Sequence, residues 1–277
     1  MARRYRDLAG RVGREETGLA AVEGIRLVAE ALTSNLELPD LYLSQDLGEA
    51  EARRLLALAE ARKRPPAVHR LPPDLFQRMA HTLHPQGAAA VVGIPPPTDP
   101  GRALREWRFS GVLFSPADPG NLGTILRTAE AAGADGLVVV EPACDHWNPK
   151  AVRASMGSVF RLPVARFPSP GDFLRALRDF RGTVLTARPR AAASLYDLRP
   201  LPPLLVVFGS EAGGLPPAVA TGEVSFGIPM AGSVESLNLA LAAGIALFQL
   251  GRRLVPPGQP GEAAAGSPNP TGGDPWT

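Results

Sequence analysis

Apolar positions along the 277-residue chain fall into short blocks, and the spacing inside each block predicts its element. In "TGLAAVEGIRLVAEAL", from Thr17, the residues Leu19, Val22, Ile25, Leu27, Val28 and Leu32 share one broad helical face, which predicts a helix. "DLYLS", "AVHRL" and "AAAVVGI" read as strands, with "GEAEARRLLALAEARKR" and "PPDLFQRMAHTL" as the helices between them. That alternation predicts a small α/β layer domain over residues 1–94. The prolines and glycine of "PPPTDPGRALRE" predict a linker over 95–106.

A second α/β domain is expected over 107–255. Its strands are nearly unbroken apolar runs, among them "GVLFS", "GLVVVEP", "LPVARF", "TVLTAR", "PLLVVFGSE" and "EVSFGIPM", and helical segments separate most of them. Runs of that kind indicate a mostly parallel sheet covered on both faces. The last helix, "SLNLALAAGIALFQLGRR", is apolar nearly all round, so it is buried or forms an interface. Residues 256–277 are Pro-, Gly- and Ala-rich with almost no apolar content, and a disordered tail is expected there.

Composition narrows the partners. Net charge is only +2, but 27 of the 29 cations are arginine, whose planar fork suits phosphate. The charge permits a nucleic-acid partner without demanding one. Arg3, Arg4, Arg6, Arg11 and Arg14 look like a basic arm that tracks phosphate. Cys144 is the single cysteine, which rules out an internal disulfide and fits a reducing, cytoplasmic setting. No window reaches eighteen apolar residues, and "MARRYRDLAG" lacks an apolar core, so neither a spanning helix nor a secretory signal is expected. His69, His81, His84 and His146 lack metal-ligand spacing as a group, and no metal is expected. Trp107 is read as a packing residue rather than a base-stacking one.

Three stretches carry the candidate chemistry. "DPGNLGTILRTAEAAGADG", from Asp118 to Gly136, is a glycine turn running into a helix between two strands. Asn121 can cap that helix and Gly133 can end it in the left-handed conformation. The stretch also permits an ordinary βαβ crossover, or a dinucleotide site with Glu141 on a ribose. Against the latter, the turn gives Gly120-x-x-Gly123 rather than GxGxxG, and Arg127 has no task in that scheme. Arg127 is six residues from Asn121, so the two do not stack on the helix; they converge only if Arg127 reaches back toward the N-terminus. "LLVVFGSEAGGLPP" is a strand entering a glycine-rich loop with one carboxylate, Glu211. "IPMAGSVESLNLALAAGIALFQL" is a strand end, a small-residue loop and the last helix, with Ser236 as a candidate cap. Asn238, an amide amid so much apolar surface, needs partners and is a site candidate.

In this order the three stretches resemble the motifs of the SpoU/TrmH branch of the SPOUT RNA ribose 2′-O-methyltransferases. "PGNLGTILRTA" is similar to the first motif, "FGSEAGGL" to the second and "IPMAGSVESLNLALA" to the third, and "NPKAVRASMGSVFRLPV" resembles a stretch between the first two. The resemblance spans about Ser110 to Arg253; "AAVEGIRLVAEAL" and "HTLHPQGAAAVV" look like the substrate-binding domain that precedes many members. It implies an α/β chain whose parallel-sheet SPOUT domain ends in a deep trefoil knot, an exception to unknotted topology. It implies S-adenosylmethionine bound there by backbone around Gly209, Ile228, Met230 and Leu237, with Glu211, Ser233 and Asn238 nearby. It further implies a homodimer, Arg127 as the catalytic arginine, and Asn121, Glu211, Ser236 and Asn238 around the acceptor. A guanidinium stays protonated, so Arg127 is read as holding the acceptor phosphate and stabilising alkoxide charge rather than as a base. Arg3, Arg4, Lys150 and Arg153 are the candidate RNA contacts. Structured rRNA of the 23S type is favoured over tRNA, and an antibiotic-resistance enzyme would differ only in its target nucleotide. A non-catalytic RNA-binding protein on the same scaffold, and a dinucleotide oxidoreductase, are the readings from other classes.

Overall fold

The structure is a computed structural model and describes residues 2–189, 191–210, 213–219, 224–231, 234–252 and 254. The front part comprises α1 (Ala2–Asp7), α2 (Arg11–Thr17), β1 (Leu19–Glu23), α3 (Ile25–Thr33), β2 (Asp40–Ser44), α4 (Glu49–Glu60), β3 (Ala67–Leu71), α5 (Pro73–Met79) and β4 (Ala88–Gly93). Its sheet runs β1-β4-β2-β3, with β2 and β3 parallel and the other pairs antiparallel. Helix α3, with α4 against it, packs on one face, and α1 and α5 on the other.

Three readings of this region need correction. Leu19–Glu23 is a strand, not the first turns of a helix. Ala20 and Val22 face one apolar cluster and Ala21 the other, and a run buried on both faces cannot be told from a helix by periodicity. Gly24, at φ 106°, makes the break before α3. The helix expected to reach Leu83 ends at Met79. The basic arm is two helices folded onto the sheet: Tyr5 and Leu8 are buried, and the Tyr5 hydroxyl donates to the Val22 carbonyl. The side chains of Arg3 and Arg4 lie outside the described residues.

The second part comprises α6 (Pro100–Glu106), β5 (Phe109–Phe114), α7 (Pro119–Ala131), β6 (Gly136–Val140), α8 (Pro149–Ala154), β7 (Val164–Phe167), α9 (Pro170–Leu177), β8 (Thr183–Ala187), β9 (Ala193–Ser194), β10 (Leu204–Phe208), β11 (Val224–Gly227) and α10 (Leu239–Gly251). All seven strands are parallel, in the order β7-β6-β5-β10-β8-β11-β9. Helices α7, α8 and α10 lie on one face, α6 and α9 on the other. Strand β10 enters between β5 and β8, so the order reverses there; such a switch point opens a crevice at the carboxyl ends of the strands.

More than half of the expected linker is α6. The Asp99 carboxylate caps it by accepting the Arg102 N–H at 2.6 Å, and Ala103 and Leu104 are buried against the sheet. Trp107 packs over Gly136 at the start of β6, as a packing residue of the second part. The two parts also share a core. One continuous cluster of buried side chains includes Ala20 and Val28 at one end and Phe109 and Leu250 at the other. Polar contacts reinforce the seam. Buried Arg14 donates to Asp145 Oδ2 through Nε at 2.9 Å and through its terminal nitrogen at 2.6 Å. Arg161 pairs with Glu30 in front and Glu130 behind, each at 2.6 Å.

Candidate functional site

The site is assembled from α7 and the carboxyl ends of β8, β10 and β11. Helix α7 begins at Pro119 and is capped by Asp118, whose carboxylate accepts the Asn121 N–H at 2.8 Å. The cap is thus not Asn121, as expected, but a residue three positions earlier, which frees the Asn121 side chain for another task. Lys150 of α8 donates to the second oxygen of Asp118 and, with the Asn121 N–H, holds that carboxyl below its usual range. Lys150 is thus engaged at the head of the motif helix. Gly123 is demanded by packing: a Cβ there would stand 2.3 Å from the Ala151 carbonyl, where α7 crosses α8. Gly133, at φ 79°, does end the helix as expected.

At the other side α10 is capped two residues later than expected. Its cap is Asn238, not Ser236: Asn238 Oδ1 accepts the N–H groups of Ala240 at 2.9 Å and Leu241 at 3.3 Å. That fixes the orientation of the amide, because its oxygen must meet the helix. The Nδ2 end then donates to Asn121 Oδ1 at 3.1 Å, joining the first and third motifs. The loop after β10 folds on itself, with Ser210 and Gly214 bridged in antiparallel fashion. A Cβ on Gly209 would fall 2.2 Å from the Gly214 carbonyl carbon, so only glycine lets the two backbones lie this close.

These loops enclose a cavity of about 1010 Å³. Gly209, Ile228, Met230, Ser236, Leu237 and Asn238, six of the site candidates, line it. Phe208, Phe226, Leu215 and Leu239 supply apolar walls. Glu211 and Ser233 lie outside the described residues. Arg127 does not line it; it is exposed on the solvent stripe of α7 and has no hydrogen-bond or ion-pair partner among the described residues. Arg153 is half-buried at the seam, within electrostatic reach of Tyr5 and His81. Among the described residues no cluster of three metal-ligating side chains occurs, and no helix is long and apolar enough to cross a membrane. Glu141 is bound to Arg166, with Nε to Oε1 at 2.8 Å, and so is engaged away from any ribose role.

Two features escaped the sequence reading. One is Asp118 as the cap, for which Asp before Pro-Gly is a recognisable start signal. Arg188, just past β8, lines the cavity; its position at the carboxyl end of a buried parallel strand was the available signal.

A switch-point crevice with a glycine loop and a capped, bridged helix defines a protein of the nucleoside-cofactor-binding α/β class. Family comparison makes the class specific. Residues 109–248 match the SpoU rRNA Methylase family, and residues 21–98 match the RNA 2′-O ribose methyltransferase substrate-binding family. The chain is 38% identical over 191 residues to a 23S rRNA (uridine(2479)-2′-O)-methyltransferase of Streptomyces viridochromogenes, covering 66% of each protein. It is 32% identical to the 23S rRNA (guanosine(2553)-2′-O)-methyltransferase RlmP of Bacillus subtilis, over 86% of this chain and 90% of that one. An AdoMet-bound rRNA methyltransferase from Sinorhizobium meliloti superposes with TM-score 0.78 at 30% identity, over 92% of this chain and 95% of its own. The chain belongs to the SpoU family of RNA ribose 2′-O-methyltransferases.

Proposed function

We propose that this protein methylates a ribose 2′-hydroxyl of 23S-type rRNA in the cytoplasm as a homodimer, with S-adenosylmethionine as cofactor. The observation that carries the reading is the Asn238–Asn121 hydrogen bond, which sets the start of α7 at the mouth of the cavity that Gly209, Ile228 and Leu237 line. The residues present fit the cofactor: apolar walls suit an adenine face, and the closed Gly209–Gly214 turn offers backbone groups at its edge. We place the trefoil knot of the family in the chain around this cavity. Glu211 and Ser233 belong to the same proposal.

Bound there, the cofactor supplies an electrophilic methyl on a sulfonium, so the protein's tasks are positioning and proton management. Asn121 and Asn238 orient the acceptor ribose, with Ser236 beside them. Arg127 approaches from the solvent side of α7, where an RNA backbone arrives; its fork holds the acceptor phosphate and stabilises alkoxide charge. Dimerisation uses α7 and α10, whose shared groove of about 570 Å³ is flanked by exposed Leu241 and Phe248. The relatives' substrate and the rigid seating of the front domain support rRNA over tRNA.

The test is methyl transfer from radiolabelled S-adenosylmethionine to unmodified rRNA and tRNA, run separately, with Arg127→Ala as control. Label in rRNA alone, at an alkali-resistant linkage and lost in the variant, is expected. Label in tRNA alone would overturn the substrate assignment.

A further inference from the structure

The cavity has one charged residue among its described lining, and the motifs do not account for it. Arg188 follows β8 directly; its backbone is fixed by its N–H on the Phe226 carbonyl at 2.9 Å and by the Ala191 N–H on its own carbonyl. Its guanidinium has no hydrogen-bond or ion-pair partner among the described residues, although the residue is only partly exposed. Every other described lining residue is apolar, glycine, serine or asparagine. A cation beside such walls gains most from an anion that shares its low-dielectric surroundings. Asn121 follows β5 and Arg188 follows β8, and β10 lies between those strands. The cation therefore stands across the Gly209 loop from the acceptor side.

We infer that Arg188 is the anchor for the methionine carboxylate of the cofactor. The inference rests on the cavity being the cofactor site. A guanidinium–carboxylate pair fixes the amino-acid arm, and so the direction of the methyl-bearing sulfur, without touching the acceptor.

Calorimetric titration tests it on the full-length protein with three probes: S-adenosylhomocysteine, decarboxylated S-adenosylmethionine, and methylthioadenosine, which lacks the whole amino-acid arm. Arg188→Ala should weaken S-adenosylhomocysteine about ten- to a hundredfold and the other two less than about twofold. Arg188→Lys should fall between, since a point charge replaces a fork. Thermal melts of each variant separate binding from folding. Equal weakening of all three probes would overturn the inference in favour of a role in shaping the loop. Unchanged S-adenosylhomocysteine binding by Arg188→Ala would overturn it outright. If wild-type protein bound none of the probes, the cofactor reading of the cavity would fall instead.

Discussion

Asn238 performs two tasks with one amide. Its oxygen caps α10 and its nitrogen holds Asn121, so the two ends can be separated by substitution. Asn238→Asp keeps an acceptor for the helix but sets a carboxylate against the Asn121 oxygen. Methyl transfer should fall at least about tenfold while the melting temperature stays within a few degrees. Asn238→Ala loses the cap as well and should cost about 1 kcal/mol in denaturant unfolding. Arg127→Lys should also lose at least about tenfold in kcat/KM, because a lysine keeps the charge but not the fork; near-wild-type activity would rule out fork recognition of phosphate.

Between elements, the seam is governed by charges inside a shared core. Removing Arg14 strips a buried cation from Asp145 and from the Leu8 and Ala9 carbonyls, so Arg14→Ala should cost about 3 kcal/mol by urea unfolding. Next to this pair, burial and the neighbouring Arg166 push the His146 imidazole down to about 4, from an ordinary 6.5. Between those values the unfolded chain binds the proton and the folded chain does not. Stability should therefore be full above about pH 6.5 and decline as pH falls toward 4. Asp145 adds to the loss at the acid end. Burial raises its carboxyl, but the Trp147 N–H and Arg14 outweigh that and hold it below 3.8. His146→Gln should flatten the upper part of the pH–stability curve. Little of this seam was legible in the sequence. Strands and motif loops announced themselves because each is a local run, whereas Arg14 and Asp145 lie 131 positions apart and no periodicity links them. The same distinction explains α6: prolines marked a connection, and only its burial against the sheet made Ala103 and Leu104 a helix face. Motif order could name the six cavity residues, but not which amide end faced which partner, nor Arg188.

At the scale of the whole molecule, α10 leaves apolar side chains uncovered among the described residues. Leu241 and Phe248 are 54% and 48% exposed on a helix otherwise packed against α7, β5 and β10. Replacing both with Asp should convert a dimer to a monomer in light scattering, with loss of activity, if the two copies meet there. The other molecular property is the continuous core that unites front and rear. A domain on a free tether samples many separations from its catalytic partner. Here α6, the Arg14–Asp145 pair and the Arg161 bridge join the two parts in one arrangement. Under the proposed function the front domain would act as a calliper: an RNA landmark held there and the methylated ribose would stand a set span apart. One nucleotide inserted in the RNA between them should abolish modification rather than move it to a neighbour, and grafting another family member's front domain should fail unless the seam is grafted with it.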